Sequence, residues 1–233
     1  MKFGVVVFPG SNCDHDMLHV LGTVLGADVR ALWHKDTALD GFTPDDCIIL
    51  PGGFSYGDYL RAGAIARYSP IMQAVVAFAG RGGKVFGICN GFQILCESHL
   101  LPGALVRNQD QKFISKNVLL RVETNKTLLT RECAVGQILK MPVAHAEGRY
   151  IADEATLRQL QDNDQILFKY VNAAGEPMSE NGSTLDIAGI CNAGRNVFGM
   201  MPHPERASEA VLGNTDGLAL FQSLAGAALA AAR

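Results

Sequence analysis

Apolar runs and polar breaks divide this chain into buried strands and half-buried helices. Lys2 to Phe8 is β-branched and aromatic and closes at Pro9-Gly10, which predicts a buried first strand ending in a loop. From Asp14 to Leu25 the apolar residues fall at 17, 18, 21, 24 and 25, a helical stripe ended by Gly26. Asp28 to Trp33 predicts a second strand. Cys47 to Leu50 predicts a third, which runs straight into Pro51-Gly52-Gly53. Ser69 to Ala79 has helical spacing, Gly82-Gly83 breaks the chain, and Val85-Phe86 ends a further buried strand before a helix over Phe92 to Glu97. The order β-α-β-β-α-β-α, with near-continuously apolar strands, predicts a parallel sheet covered on both faces.

After Gly103 the texture changes. Lys112 to Thr124 and Gln137 to Val143 read as strands of more polar, antiparallel character. Asp153 to Gln161 predicts a helix and Gln165 to Tyr170 another strand. Leu185 to Met201 reads as a hairpin turning at Asn192-Ala193-Gly194-Arg195, and Leu218 to Ala230 as an amphipathic closing helix. No repeat or linker interrupts the pattern, so residues 1–233 read as a single domain: an α/β fold with a mostly parallel core, helices on both faces and an antiparallel extension.

Chemistry gathers at the carboxyl ends of strands in such sheets. The stretch Gly87-Ile88-Cys89-Asn90-Gly91 joins a strand directly to a helix. Glycines two residues either side of a central nucleophile make a nucleophile elbow with cysteine in place of serine. The turn forces Cys89 into a strained conformation, and its position at a helix N-terminus favours thiolate over thiol. A buried core cysteine is the plain alternative.

A cysteine nucleophile needs a base, an orienter for the base and an oxyanion hole. The predicted hairpin ends in Pro202-His203-Pro204-Glu205-Arg206. Prolines hold that segment extended, so His203 and Glu205 project to one side and Glu205 can fix one tautomer of the imidazole. A surface turn is the bland reading of the same residues. Backbone N–H groups of Asn90 and Gly53 are the candidate oxyanion donors, with Gly52-Gly53 letting a small substrate approach. His145, in a polar loop with Glu147 and Arg149, is a second candidate base but lacks a carboxylate held beside it.

Composition narrows the class. The net charge of −3 offers no basic field for nucleic acid. The six cysteines are scattered with no C-x-x-C pair, so neither a disulfide framework nor a metal site is expected, and a reducing compartment is. The N-terminal stretch turns polar too soon for a signal peptide, and the LAGAALAAA run near the C-terminus is shorter than a membrane span. A cytoplasmic protein with no membrane partner is the expectation. There is no phosphate-binding glycine loop for ATP.

Together Pro51-Gly52-Gly53, Gly87-Ile88-Cys89-Asn90-Gly91-Phe92-Gln93 and His203-Pro204-Glu205 resemble the class I, or triad, glutamine amidotransferases. The resemblance spans most of the chain. It implies a flavodoxin-like sheet and hydrolysis of the glutamine side-chain amide by Cys89, His203 and Glu205 through a thioester. It narrows to one branch, the glutaminase subunits of phosphoribosylformylglycinamidine synthases. That narrowing rests on the segments 8–14, 52–63, 87–93, 142–150 and 201–206. Asn90 after the cysteine fits this branch, where related branches carry Leu or Met; Ala146 stands where glycine is frequent.

The resemblance implies a substrate pocket of Gly52, Phe54, Gln93, Asn108 and Phe113. It also implies a separate ATP-dependent synthetase subunit, with ATP and Mg on that partner and no cofactor in this chain. A third small subunit joins in some systems, and the product lies in de novo purine biosynthesis. Tyrosines and arginines between Ser55 and Tyr68 are the expected synthetase-facing surface. A peptide- or aldehyde-directed cysteine-elbow hydrolase would carry histidine where Asn90 stands, and a mere scaffold would not need the intact Cys89, His203 and Glu205.

Overall fold

The computed structural model describes residues 1–226. Its centre is a nine-stranded sheet. In chain order the strands are β1 (Lys2–Val7), β2 (Asp28–Trp33), β3 (Cys47–Leu50), β4 (Lys84–Ile88), β5 (Ala104–Val106), β6 (Ile114–Val122), β7 (Ile138–His145), β8 (Arg149–Ile151), β9 (Ile166–Val171), β10 (Ile187–Cys191) and β11 (Val197–Met200). The helices are α1 (Asp14–His19), α2 (Pro70–Gly80), α3 (Asn90–Glu97), α4 (Glu154–Asp162) and α5 (Leu218–Ala225).

The sheet order is β2-β1-β3-β4-β11-β10-β9-β6-β7. The first five of these strands pair parallel throughout. Their order of use, second-first-third-fourth-last, is the flavodoxin-like winding, with the reversal falling between β1 and β3. From β11 onward every pairing is antiparallel. The two-textured pattern of the sequence therefore corresponds to two halves of one continuous sheet. β5 and β8 form a small separate antiparallel pair that the sequence pattern did not signal.

β3 and β11 are buried end to end, as strands covered on both faces must be. Alternation in β4 divides its faces. Gly87 lies under α3, while Phe86 meets Phe221 of α5 on the opposite side at 6.4 Å between ring centroids. The seat of α3 is unusually close. A Cβ on Gly91 would stand 1.9 Å from the Leu50 carbonyl oxygen, and one on Gly199 would stand 2.2 Å from the Phe92 ring. These glycines set the distance between helix and sheet, and so the position of the helix N-terminus.

Two boundaries differ from the sequence pattern for physical reasons. The helix expected over residues 14–25 widens after His19 into a π-helical stretch, Val20–Val24, where Leu25 N–H reaches back to Val20 O at 2.9 Å. The helix over Asn90–Glu97 begins earlier than its apolar stripe, because the elbow itself forms its first turn. The closing helix runs over Leu218–Ala225, and the predicted continuation beyond residue 226 lies outside the described residues. No helix among the described residues is long and apolar enough to cross a membrane. All six cysteines are buried and unpaired.

Candidate active site

Four adjacent parallel strands deliver one segment each to a common edge. β1 leads to Cys13, β3 to Gly52-Gly53, β4 to Cys89, and β11 to His203 and Glu205. The edge is the carboxyl end of the sheet beside the winding reversal, where open α/β sheets place their ligands.

Cys89 occupies a strained backbone conformation, φ 50° and ψ −105°, between β4 and α3. Such a conformation costs of order 1–3 kcal/mol for a non-glycine residue and persists only where the surroundings enforce it. The enforcement is visible. Cys89 N–H donates to Met200 O of β11 at 2.8 Å, and its carbonyl accepts the first helical bond of α3, from Gln93 N–H at 3.1 Å. The N–H of Asn90, at the first position of the helix, has no intrahelical acceptor. Cys89 is 5 % exposed and its thiol contacts Ala144 O at 3.8 Å.

His203 follows β11 and is fixed from two sides. Its backbone N–H donates to Pro142 O of β7 at 2.9 Å, and its Nδ1–H donates to Glu205 Oε1 at 2.6 Å. Both side chains are buried. Burial alone would push the imidazole pKa down, but the Glu205 carboxylate and the Cys89 sulfur, with smaller contributions from contacts to Cys13 and Cys89, carry it well above the ordinary histidine value. Nε2, the nitrogen left over, has no hydrogen-bond partner within the protein. The elbow cysteine and the late histidine thus leave neighbouring strands at one edge, and the Cys89 sulfur is among the groups that raise the His203 pKa.

Gly52 and Gly53 face this pair. Gly53 has φ +130°, a region open to glycine, and a Cβ there would collide with the backbone of Asn12 at 2.6 Å. A Cβ on Gly52 would stand 2.7 Å from His203 Cε1. The loop is tied to the next strand's exit by Cys13 N–H to Gly52 O at 3.3 Å and Phe54 N–H to Gly10 O at 3.2 Å. Phe54 and Phe113 are 47 % and 52 % exposed, so they stand at the outside rather than within the buried pair's surroundings.

Two expected pocket residues carry internal hydrogen bonds. Gln93 is 5 % exposed; its Oε1 accepts from Asn90 Nδ2 at 3.0 Å and its Nε2 donates to Glu147 O at 2.6 Å. It ties α3 to the loop after β7. Asn108 is fully buried: Nδ2 donates to Lys112 O and His145 O at 2.8 and 2.9 Å, and Oδ1 accepts from Gly148 N–H at 3.2 Å. Both amides are used internally because the loops they brace have backbone groups with no ladder partner.

The second candidate base, His145, lies near His203 but shares Asn108 Oδ1 at 3.1 Å and has no carboxylate partner. Burial, then the neighbouring His203 charge, lower its pKa to about 4. In the Ser55–Tyr68 segment Tyr59, Leu60 and Tyr68 are 75 %, 86 % and 75 % exposed, while Arg61 is held by both oxygens of Glu97 at 2.6 Å.

Sequence reasoning missed three neighbours of the site. Tyr170 of β9 is buried with an unpartnered hydroxyl, and burial followed by the charge of Cys89 pushes its phenol pKa up. Cys13 approaches His203, and Arg206 donates to Cys13 Sγ at 3.1 Å. Only the position of Cys13 at a predicted strand exit signalled its placement; Tyr170 had no signal, lying inside an ordinary apolar strand.

Residues 1–219 match the family described as the CobB/CobQ-like glutamine amidotransferase domain. The phosphoribosylformylglycinamidine synthase subunit PurQ of Koribacter versatilis is 56 % identical over 97 % of this chain and 98 % of that protein. The chain belongs to the PurQ family of glutamine amidotransferases. The PurQ subunit of a Nostoc species is 58 % identical over 96 % of each chain. Among solved structures, that of PurLQS from Thermotoga maritima contains a chain superposing with TM-score 0.85 at 44 % identity, covering 96 % of this chain and 97 % of that one. A second solved structure, a glutamine amidotransferase from Thermotoga maritima, is 14 % identical with TM-score 0.57 over 97 % of this chain and 96 % of that one, and shares the fold alone. Within the PurQ family the elbow, glycine loop and histidine–glutamate pair described above are the candidate amidase machinery.

Proposed function

We propose that this chain is one glutamine amidotransferase domain that hydrolyses glutamine to glutamate and ammonia, with Cys89 as nucleophile, His203 as proton carrier and Glu205 as its orienter. The observation that carries this reading is the strained Cys89 at the end of β4 beside the His203–Glu205 pair at the end of β11, the neighbouring strand. The Cys89 thiolate attacks the side-chain carbonyl carbon. The oxyanion is received by the N–H groups of Gly53 and Asn90; one such donor is typically worth about 10²–10³ in rate. Protonated His203 gives its proton to the leaving nitrogen, and ammonia departs as the thioester forms. Neutral His203 then takes a proton from water, hydroxide attacks the thioester, and glutamate leaves.

The ammonia is consumed by an ATP-dependent synthetase subunit, with ATP and Mg held there, to make phosphoribosylformylglycinamidine in purine biosynthesis. A third small subunit completes the assembly, and the work is done in the cytoplasm. The support for these partners is the similarity to PurQ subunits across nearly the full chain and to a chain of the solved PurLQS assembly. The exposed Tyr59, Leu60 and Tyr68 suit a surface that a partner covers.

The test is glutamate release by the purified chain, alone and with the synthetase, together with labelling by an electrophilic glutamine analogue. Labelling is expected at Cys89 and turnover is expected to rise with the partner present. Equal labelling of Cys89→Ala would remove Cys89 from the role of nucleophile.

A further inference from the structure

Cys13 has no task in the amide hydrolysis, yet its sulfur stands beside the imidazole. Cys13, His203 and Glu205 each offer one donor atom, and these sulfur, nitrogen and oxygen atoms all lie within 4.8 Å of one another. The three residues are buried, and Gly52 leaves the space between them open: a Cβ there would stand 3.1 Å from Cys13 Sγ as well as against the His203 ring. Two buried atoms of the cluster, His203 Nε2 and Glu205 Oε2, find no hydrogen-bond partner in the protein. Arg206 donates to the Cys13 sulfur at 3.1 Å and is itself held by Asp16 at 3.0 Å.

We infer that Cys13, His203 and Glu205 form a binding site for a thiophilic divalent cation of the zinc type, and that occupancy switches the amidase off. The donor set decides the class of ion. One thiolate, one imidazole and one carboxylate suit a borderline-soft cation with a fourth position for water, whereas magnesium and calcium want oxygen cages. Metal–ligand bonds of about 2.0–2.3 Å place tetrahedral ligand atoms roughly 3.3–3.7 Å apart. The widest separation closes by about 1 Å, and the 2.6 Å contact between His203 Nδ1 and Glu205 opens by about as much as the proton between them leaves, within the reach of small side-chain rotations. Binding releases the Cys13 thiol proton and the His203 Nδ1 proton to solvent, and the cation takes the place of that Nδ1–H as the partner of Glu205. With Nδ1 on the cation, Nε2 keeps its hydrogen and accepts no proton, so His203 no longer carries protons for Cys89. The scattered cysteines gave no hint of this, because the three ligands come together only through the sheet order.

The binding itself does not depend on the amidase reading; the switching-off does. Cobalt(II) is the probe, since a cobalt–thiolate bond gives a near-ultraviolet charge-transfer band. Full-length Cys89→Ala protein is expected to bind one equivalent with that band, displaced by zinc. Adding Cys13→Ser or Cys13→Ala should abolish the band and weaken zinc binding by at least about tenfold, with melting temperature confirming that each variant is folded. In the assembled complex, zinc should inhibit glutamate release reversibly on chelation, and Cys13→Ser should need about tenfold more zinc measured against its own metal-free rate. A Cys89→Ala protein without the band, or a Cys13→Ser complex as zinc-sensitive as the wild type, overturns the site. A site that fills as expected without inhibiting overturns the switching-off and the role given to His203 while leaving the site standing.

Discussion

Two buried histidines end the two halves of the sheet, and their surroundings drive them in opposite directions. His203 leaves the last parallel strand and meets the Glu205 carboxylate; its charged form is favoured despite burial. His145 ends β7 in the antiparallel half and meets the neutral amide of Asn108; its charged form is disfavoured, with a pKa of about 4. Burial is nearly equal, at 2 % and 4 % exposure, so depth does not separate them. The partner does: a carboxylate keeps an imidazole ready to hold a proton, and a neutral amide leaves it a structural brace. The antiparallel half still serves the site, through the carbonyls of Pro142 and Ala144 that hold His203 and the Cys89 thiol.

This contrast can be broken or sharpened in order of expected effect. Cys89→Ala should lower glutamate release by at least about four orders of magnitude, measured on the assembled complex, with melting temperature little changed. Glu205→Gln should lower kcat by about 10³–10⁴ and erase the distinction between the two histidines. A kcat within tenfold of wild type would show that His203 does not depend on its carboxylate. Gly91→Ala should destabilise by about 3 kcal/mol through overpacking against the Leu50 carbonyl, lowering the melting temperature by roughly 6–12 °C.

His145→Gln should change kcat less than about tenfold, the result expected of a brace rather than a base. It should also flatten the acid side of the stability curve. The folded pKa of His145, about 4, lies below its ordinary 6.5, so the native state binds fewer protons in that window. Its stability is complete above 6.5 and is lost as pH falls toward 4, by on the order of 1–3 kcal/mol; chemical denaturation at several pH values measures it.

The smallest effect is expected at Asp58, where burial and then the Glu147 charge raise the carboxyl from 3.8 to about 6. Here the native state binds more protons between those values, so the favourable contribution is full below 3.8 and lost as pH rises through 6. Asp58→Asn should therefore raise the melting temperature at pH 7.5 and scarcely at pH 4.

What was legible in the chain followed from local signals. The elbow, the glycine loop and Pro202-His203-Pro204-Glu205 are each short, and each sits at a strand exit that apolar runs mark. Given a parallel sheet, strand exits share an edge, so the site's outline was readable. The internal hydrogen bonds of Gln93 and Asn108 were not, because which loop a side-chain amide braces depends on backbone groups left unpaired by distant turns. Cys13 and Tyr170 were missed for a related reason. Each lies in a segment that its own neighbours explain fully, and only the sheet order brings it to Cys89 and His203. The π-helical stretch after His19 keeps the same apolar stripe as a regular helix, so periodicity could not announce it.

The position of β11 has a consequence for biogenesis. The last strand to be synthesised, it inserts between β4 and β10, in the interior of the sheet rather than at a border. A nascent chain on the ribosome thus carries Cys89 for more than a hundred codons before His203 exists to stand beside it. A chain released before β11 is made has an open seam beside β4.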